Sequence, residues 1–224
     1  MEKKIKLIIF ALLLIGVIYR LVISSNGNFI FNMDNARDMV DVREMVVLNK
    51  PRLIGPTSAI DGLYTGPGWY YLLSIPFVLS GGDPYASILM EIILWAIGGF
   101  FLLKLTSRWG KMPVILVGSI WVASNFILLA SQYAFNPNPV IFLTPVLIYF
   151  LEKFLENGKM IESIILWSLA GLFLHFEMAA GIFIPLFIFV SIFLLNRKLF
   201  KHKSFWIGPL VYLATLLPQI LFEL

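Results

Sequence analysis

Polar residues along this chain come in short clusters that separate long apolar runs. A helical span needs about 20 apolar residues. Six runs reach or approach that length: roughly 5–24, 84–103, 112–132, 161–177, 178–195 and 204–222. A seventh, near 137–152, is short but strongly apolar. An eighth, Trp69–Ser80, holds twelve residues with Pro76 inside and is too short to cross on its own.

Charge decides how these runs thread. Lys3, Lys4 and Lys6 precede the first; Lys104, Arg108 and Lys111 follow the second. Lys153 and Lys159 follow the run near 137–152, and Arg197, Lys198, Lys201 and Lys203 follow the run at 178–195. Twelve of the 17 basic residues therefore lie in four short clusters. Basic residues in short loops favour the cytoplasmic side, and four clusters share one side only if an even number of spans separates each pair. Residues 25–83 must then stay outside, and Trp69–Ser80 becomes a surface or re-entrant helix. The expected fold is an all-α integral membrane bundle of about seven transmembrane helices over residues 1–224. Its N-terminus is cytoplasmic, its C-terminus outside, and a long external loop with juxtamembrane helices covers residues 25–83. A cleaved signal peptide is the alternative for the first run. It has the basic start and apolar core but no clear small-x-small cleavage site.

Composition fits lipid as the solvent: 59% hydrophobic, 13% charged, mean hydropathy +0.89, against about a quarter charged in soluble domains. The net charge of +4 resides in the loop clusters and is a topology signal, so nucleic acid is not an expected partner. There is no cysteine, hence no thiolate metal site or Cys nucleophile. Two histidines, His175 and His202, exclude a His-rich metal centre, and His202 lies in a basic loop.

The external loop concentrates the candidate chemistry. It holds Asp34, Asp38, Asp41, Glu44, Asp61 and Asp83 with Arg37, Arg43, Lys50 and Arg52; long charged loops in compact proteins are usually functional. Residues 34–48 read as a helix with Asp34 as N-cap or first-turn acid. At 100° per residue Asp34, Asp38 and Asp41 share one face, and valines, Met39 and Ala36 fill the opposite arc around Arg43. Such a helix lies on the membrane, its acids toward water or a cavity, with Arg43 reaching lipid phosphate. Alternatively it merely anchors the loop, with Arg37 paired to Asp41. Gly55-Pro56-Thr57-Ser58 and Gly66-Pro67-Gly68 are turns. Trp69-Tyr70-Tyr71 then serves as an interfacial anchor or as the wall of a sugar or lipid pocket.

The order of Met33-Asp34-Asn35-Ala36-Arg37-Asp38, Gly66-Pro67-Gly68-Trp69-Tyr70-Tyr71 and Gly81-Gly82-Asp83 resembles the GT-C superfamily of membrane glycosyltransferases. Within it, the chain looks most like the protein O-mannosyltransferase and aminoarabinose-transferase-like group with its RgtA/B/C/D-like members. Downstream, Asn136-Pro137-Asn138-Pro139, Gly171-Leu172-Phe173-Leu174-His175 and Leu217-Pro218-Gln219 extend the resemblance over essentially the whole chain. It departs in two places. Many relatives have a second acid where Asn35 stands, and an acid in the loop that here offers Asn136 and Asn138. A divalent metal held by acids from both loops is therefore disfavoured, though a divalent metal remains the one candidate cofactor. Relatives usually continue past the segment matching Phe222-Glu223-Leu224, which implies an N-terminal portion of a longer protein.

The resemblance implies an inverting glycosyltransferase at the plasma membrane, acting on its extracytoplasmic side. Its partners are membrane lipids, a polyprenyl-phosphate sugar donor, and a lipid, glycan or protein acceptor. Asp34 is the candidate base, Asp38 its orienting partner, and Arg37 and Arg43 the candidate ligands of the donor phosphate. Trp69, Tyr70, Glu91, Asn136, His175 and Glu177 are candidate cavity residues. Glu91, about 10 Å into the second span at 1.5 Å per residue, is a costly intramembrane acid or a protonated structural one. His175 and Glu177 are otherwise a polar turn. Arg20 can snorkel or bind phosphate. Two other classes remain as rivals: a non-catalytic membrane subunit or fragment, and a lipid or solute transporter. No internal repeat of the kind common in transporters is present.

Overall fold

The computed structural model describes residues 2–58, 60 and 62–224, so Asp61 lies outside the described residues. Among them the chain is helical, without strands beyond two isolated bridges, Ile30 with Tyr133 and Thr57 with Tyr64. The helices are α1 Lys3–Ser24, α2 Met33–Val47, α3 Gly68–Ser80, α4 Tyr85–Thr106, α5 Lys111–Ala123, α6 Asn125–Ser131, α7 Asn138–Asn157, α8 Met160–Phe176, α9 Met178–Leu195, α10 Lys203–Thr215 and α11 Leu217–Glu223. Their length and apolarity are those of a membrane protein, but the count departs from seven. Four stretches, led by α1, α4, α7 and α9, are long and apolar enough to cross, and two bent pairs raise the number to six at most.

The shortfall has local causes. The expected span 112–132 breaks at Ser124, whose backbone is extended (φ −60°, ψ 121°), so that α5 and α6 meet at 56°. The last span bends by 42° between α10 and α11, where Pro218 near the start of α11 cannot continue the helical hydrogen bonds of α10. The expected span 161–177 is the 17-residue α8, about 25 Å at 1.5 Å per residue. As expected for the twelve-residue run, α3 is short, 13 residues around Pro76.

The chain folds as two compact units: residues 1–43 with 75–146, and 44–74 with 147–224. In the first, α1, α4 and α5 pack through small residues. A Cβ on Gly98 would meet the Phe142 carbonyl of α7, and one on Gly16 the Trp95 ring. Trp95 and Trp121 stack at 6.4 Å and exchange indole N–H bonds to each other's carbonyls at 3.3 Å. Arg20, rather than snorkelling, is fully buried with its guanidinium 3.8 Å above Trp95. One of its nitrogens donates to the carbonyls of Gly16 and Val122. The second unit centres on Trp167 of α8, edge-on to Phe189 and Tyr212. Gly208 of α10 lies where a Cβ would strike the Trp167 ring, which lets α8 and α10 approach closely.

Candidate functional site

The acidic helix is built from its cap. Asn32, not Asp34, caps α2: its Oδ1 accepts from the backbone N–H groups of Asp34 (3.0 Å) and Asn35 (3.3 Å). Asn35 closes the reciprocal bond by accepting from the Asn32 N–H at 3.0 Å, the geometry of a capping box. The helix thus starts at Met33 and ends at Val47, one residue ahead of the sequence-based boundaries, with Asp34 in its first turn.

The same cap is tied to the turn after α6. The Asn35 amide donates to the Ala134 carbonyl at 2.6 Å, the Asn32 amide to the Tyr133 hydroxyl at 2.9 Å, and the Ile30 N–H to the Gln132 carbonyl at 2.9 Å. Asn138 holds that turn closed, its amide donating to the carbonyls of Ala130 and Tyr133 at 3.0 and 2.7 Å. Asn136 is buried in it.

On α2 the acids separate. Asp38 is buried (1% exposed), whereas the Asp34 side chain is 44% exposed. Arg37 lies between them. Its Nε and Nη2 donate to Asp38 Oδ1 at 3.0 and 2.9 Å, and its Nη1 stands 3.2 Å from Asp34 Oδ1. Beside the Arg37–Asp41 pairing anticipated from spacing, Asp34 and Asp38 both meet the guanidinium at these distances. The buried stripe of the helix carries Asn35, Asp38, Val42 and Met45, while Val40, Arg43 and Val47 are exposed. Val42, expected on the membrane-facing arc, belongs instead to the stripe of Asp38. Tyr133 is a member of this site that spacing did not reveal. Burial pushes its phenol up, and the charges of Asp34 and Asp38 add to that push against the lowering bond from Asn32. A neutral phenol is thus held within electrostatic reach of both acids.

These donors do not suit a divalent cation. A guanidinium already bridges the two acids, and the Asn35 and Asn138 amides are engaged with backbone carbonyls. Among the described residues no three His, Asp or Glu side chains converge on a point. Glu91 is fully buried, and neither of its carboxyl oxygens has a hydrogen-bond partner among the described residues.

The remaining candidates assemble in the second unit. Trp69 and Tyr70 are buried, Trp69 edge-on to Phe176 at 6.3 Å, while Tyr71 is exposed and donates to the Arg52 carbonyl. His175 acts as a clamp. Its Nδ1 accepts from the Gly68 N–H at 3.0 Å, so its Nε2, 2.9 Å from the Thr215 carbonyl, carries the proton. One neutral imidazole therefore joins the Gly66-Pro67-Gly68 turn, the end of α8 and the end of α10. Glycine is required there: a Cβ on Gly66 would overlap the His175 ring. Upstream, residues 55–58 pair with 63–65 through Gly55 N–H to the Thr65 carbonyl at 2.8 Å and Thr65 N–H to the Pro56 carbonyl at 3.0 Å. Glu177 caps α9, accepting from the Ala179 N–H at 3.4 Å.

Gly66→Ala is expected to lower stability by about 1–3 kcal/mol, the cost of overpacking a tight contact. Adding His175→Ala should make the pair less damaging than the sum of the two changes, because the ring that clashes is gone. Thermal unfolding in detergent of the two single variants and the double variant checks this; strict additivity would exclude the clamp.

The fold and site define a class: a helical membrane protein whose first long apolar helix is followed by a short helix bearing an acid–arginine–acid cluster. Comparison of the chain with protein-family models, with curated proteins and with solved structures returned no match.

Proposed function

We propose that this chain is a GT-C-like membrane glycosyltransferase. It moves a sugar from a polyprenyl-phosphate donor to an acceptor hydroxyl on the extracytoplasmic side. In this reading the N-terminus is cytoplasmic and α8 joins the other six spans as a seventh. The observation that carries it is the division of labour on α2: Asp34 half-exposed, Asp38 buried, and Arg37 bonded to both. Asp34 takes the proton of the acceptor hydroxyl, and that oxygen attacks the anomeric carbon from the face opposite the phosphate. The bond from the anomeric carbon to the phosphate oxygen breaks, and polyprenyl phosphate leaves with the electron pair, which inverts the centre. Asp38 holds Arg37, and Arg37 orients Asp34. Arg43, exposed on the other side of α2, reaches lipid phosphate at the membrane surface.

A non-catalytic membrane subunit is the second reading. It is favoured by the same pairing, because an arginine shared by two acids also reads as a structural ion pair. Sugar transfer in nanodiscs separates the two, using radiolabelled polyprenyl-phosphate sugars and crude acceptor lipid with wild type and Asp34→Asn side by side. Transfer that vanishes in the folded variant supports the enzyme. Transfer that survives moves the base elsewhere, and no transfer from any donor by folded wild type supports the subunit.

A further inference from the structure

Six basic residues, Lys3, Lys4, Lys6, Lys104, Arg108 and Lys111, gather at one end of the first unit. Ile5 and Ile9 of α1 pack there with Leu103 of α4 and Val114 of α5, and Glu2 reaches Lys111 at 3.6 Å. From this end an apolar groove of ≈ 510 Å³ runs along α1 beside Phe100 of α4, lined from Lys6 to Val17. A second groove of ≈ 370 Å³ shares Val17 and Phe100 with it and continues beside Ile93, Ala96 and Ile97. Lys104, one turn beyond Phe100, holds its ammonium 5.7 Å from the centre of that ring. The groove walls are exposed apolar side chains: Phe10 is 62% and Leu14 45% exposed.

We propose that this groove binds one acyl chain of an anionic glycerophospholipid, with the headgroup phosphate held by Lys6 and Lys104. The dimensions agree: Lys6 to Val17 spans about 16 Å at 1.5 Å per residue, close to the roughly 15 Å depth of one leaflet in a bilayer with a hydrocarbon core of about 30 Å. Charge complementarity selects the occupant. Among the described residues that line the groove, the one polar side chain is a lysine at the end where the basic residues gather, where an anionic lipid surface attracts each lysine. A helix from a partner protein would fill the apolar part, but nothing in its chemistry would call for ammonium groups at one end.

Native mass spectrometry of the full chain tests this, with dioleoyl phosphatidylglycerol and dioleoyl phosphatidylcholine offered at equal concentration. The expected result is one phosphatidylglycerol retained in preference to phosphatidylcholine. Lys6→Ala with Lys104→Ala should weaken that binding about 30-fold, near five-fold per lysine. Leu14→Trp, which fills the groove and leaves the charges in place, should also remove the preference. Thermal unfolding verifies that both variants fold. No preference in wild type, a preference that neither variant changes, or a dimer that excludes lipid from the groove overturns the assignment.

Discussion

Asp34→Asn is expected to cut sugar transfer by about 10²–10⁴-fold, the range a positioned general base contributes, without loosening the fold. The stability cost is small because Asp34 and Arg37 form a half-exposed pair at 3.2 Å, and exposed pairs contribute about 0–1 kcal/mol. Asparagine keeps the shape of the side chain and removes its charge, and with the charge its capacity to take a proton. Asp38→Asn should behave in the opposite way. That carboxylate is 1% exposed and receives two N–H bonds from Arg37. Losing its charge should lower stability by about 1.5–3 kcal/mol, the worth of hydrogen bonds to a charged group. Activity should fall with it, through Arg37, because the guanidinium that orients Asp34 loses its anchor. Initial transfer rates beside unfolding temperatures, both in nanodiscs, distinguish the two acids. An Asp34→Asn protein with wild-type rates, or one as unstable as Asp38→Asn, would remove Asp34 from the proposed role.

The contrast between these acids was half legible in the sequence. Periodicity identified α2 and grouped Asp34 with Asp38, because side chains four apart share a face whatever surrounds the helix. Which edge of that face turns inward depends on partners a hundred residues away, and periodicity carries no record of them. Asn32 and Asn35 tie the start of the helix to Tyr133 and Ala134, and those bonds fix which edge of it turns inward. The apolar runs were legible because hydropathy accumulates over many residues. The break at Ser124 was not, since a serine within an apolar run gives no sign of an extended backbone. His175 shows the same boundary of inference. The sequence placed it in a polar turn between two apolar runs, but its role as a clamp follows from Gly68 on one nitrogen and Thr215 on the other.

Asn35→Asp, which would place two adjacent acids at the start of α2, is expected to damage the protein. Asn35 is 4% exposed and uses both halves of its amide: the oxygen accepts from the Asn32 N–H, and the nitrogen donates to the Ala134 carbonyl at 2.6 Å. An ionised carboxylate keeps the acceptor and loses the donor. It would face the Ala134 oxygen directly and add a third negative charge beside Asp34 and Asp38. Stranding a buried acceptor costs about 1–3 kcal/mol, and burying an uncompensated charge costs several more unless the group neutralises. Neutralisation gives the variant a pH signature. Below the ordinary carboxyl range near 4 the new group is protonated, and its O–H can donate to Ala134 as the amide did. As pH rises, the variant ionises more readily unfolded than folded, so its stability relative to wild type is greatest in acid and declines toward neutrality. Unfolding temperatures of both proteins from pH 4 to pH 8 measure this; a gap that stays constant, or a variant as stable as wild type at neutral pH, would show that the cap does not depend on the Asn35 amide. If the gap widens with pH as expected, the asparagine is required by the turn that receives it, and one ionisable acid at the start of α2 is the arrangement the fold accommodates.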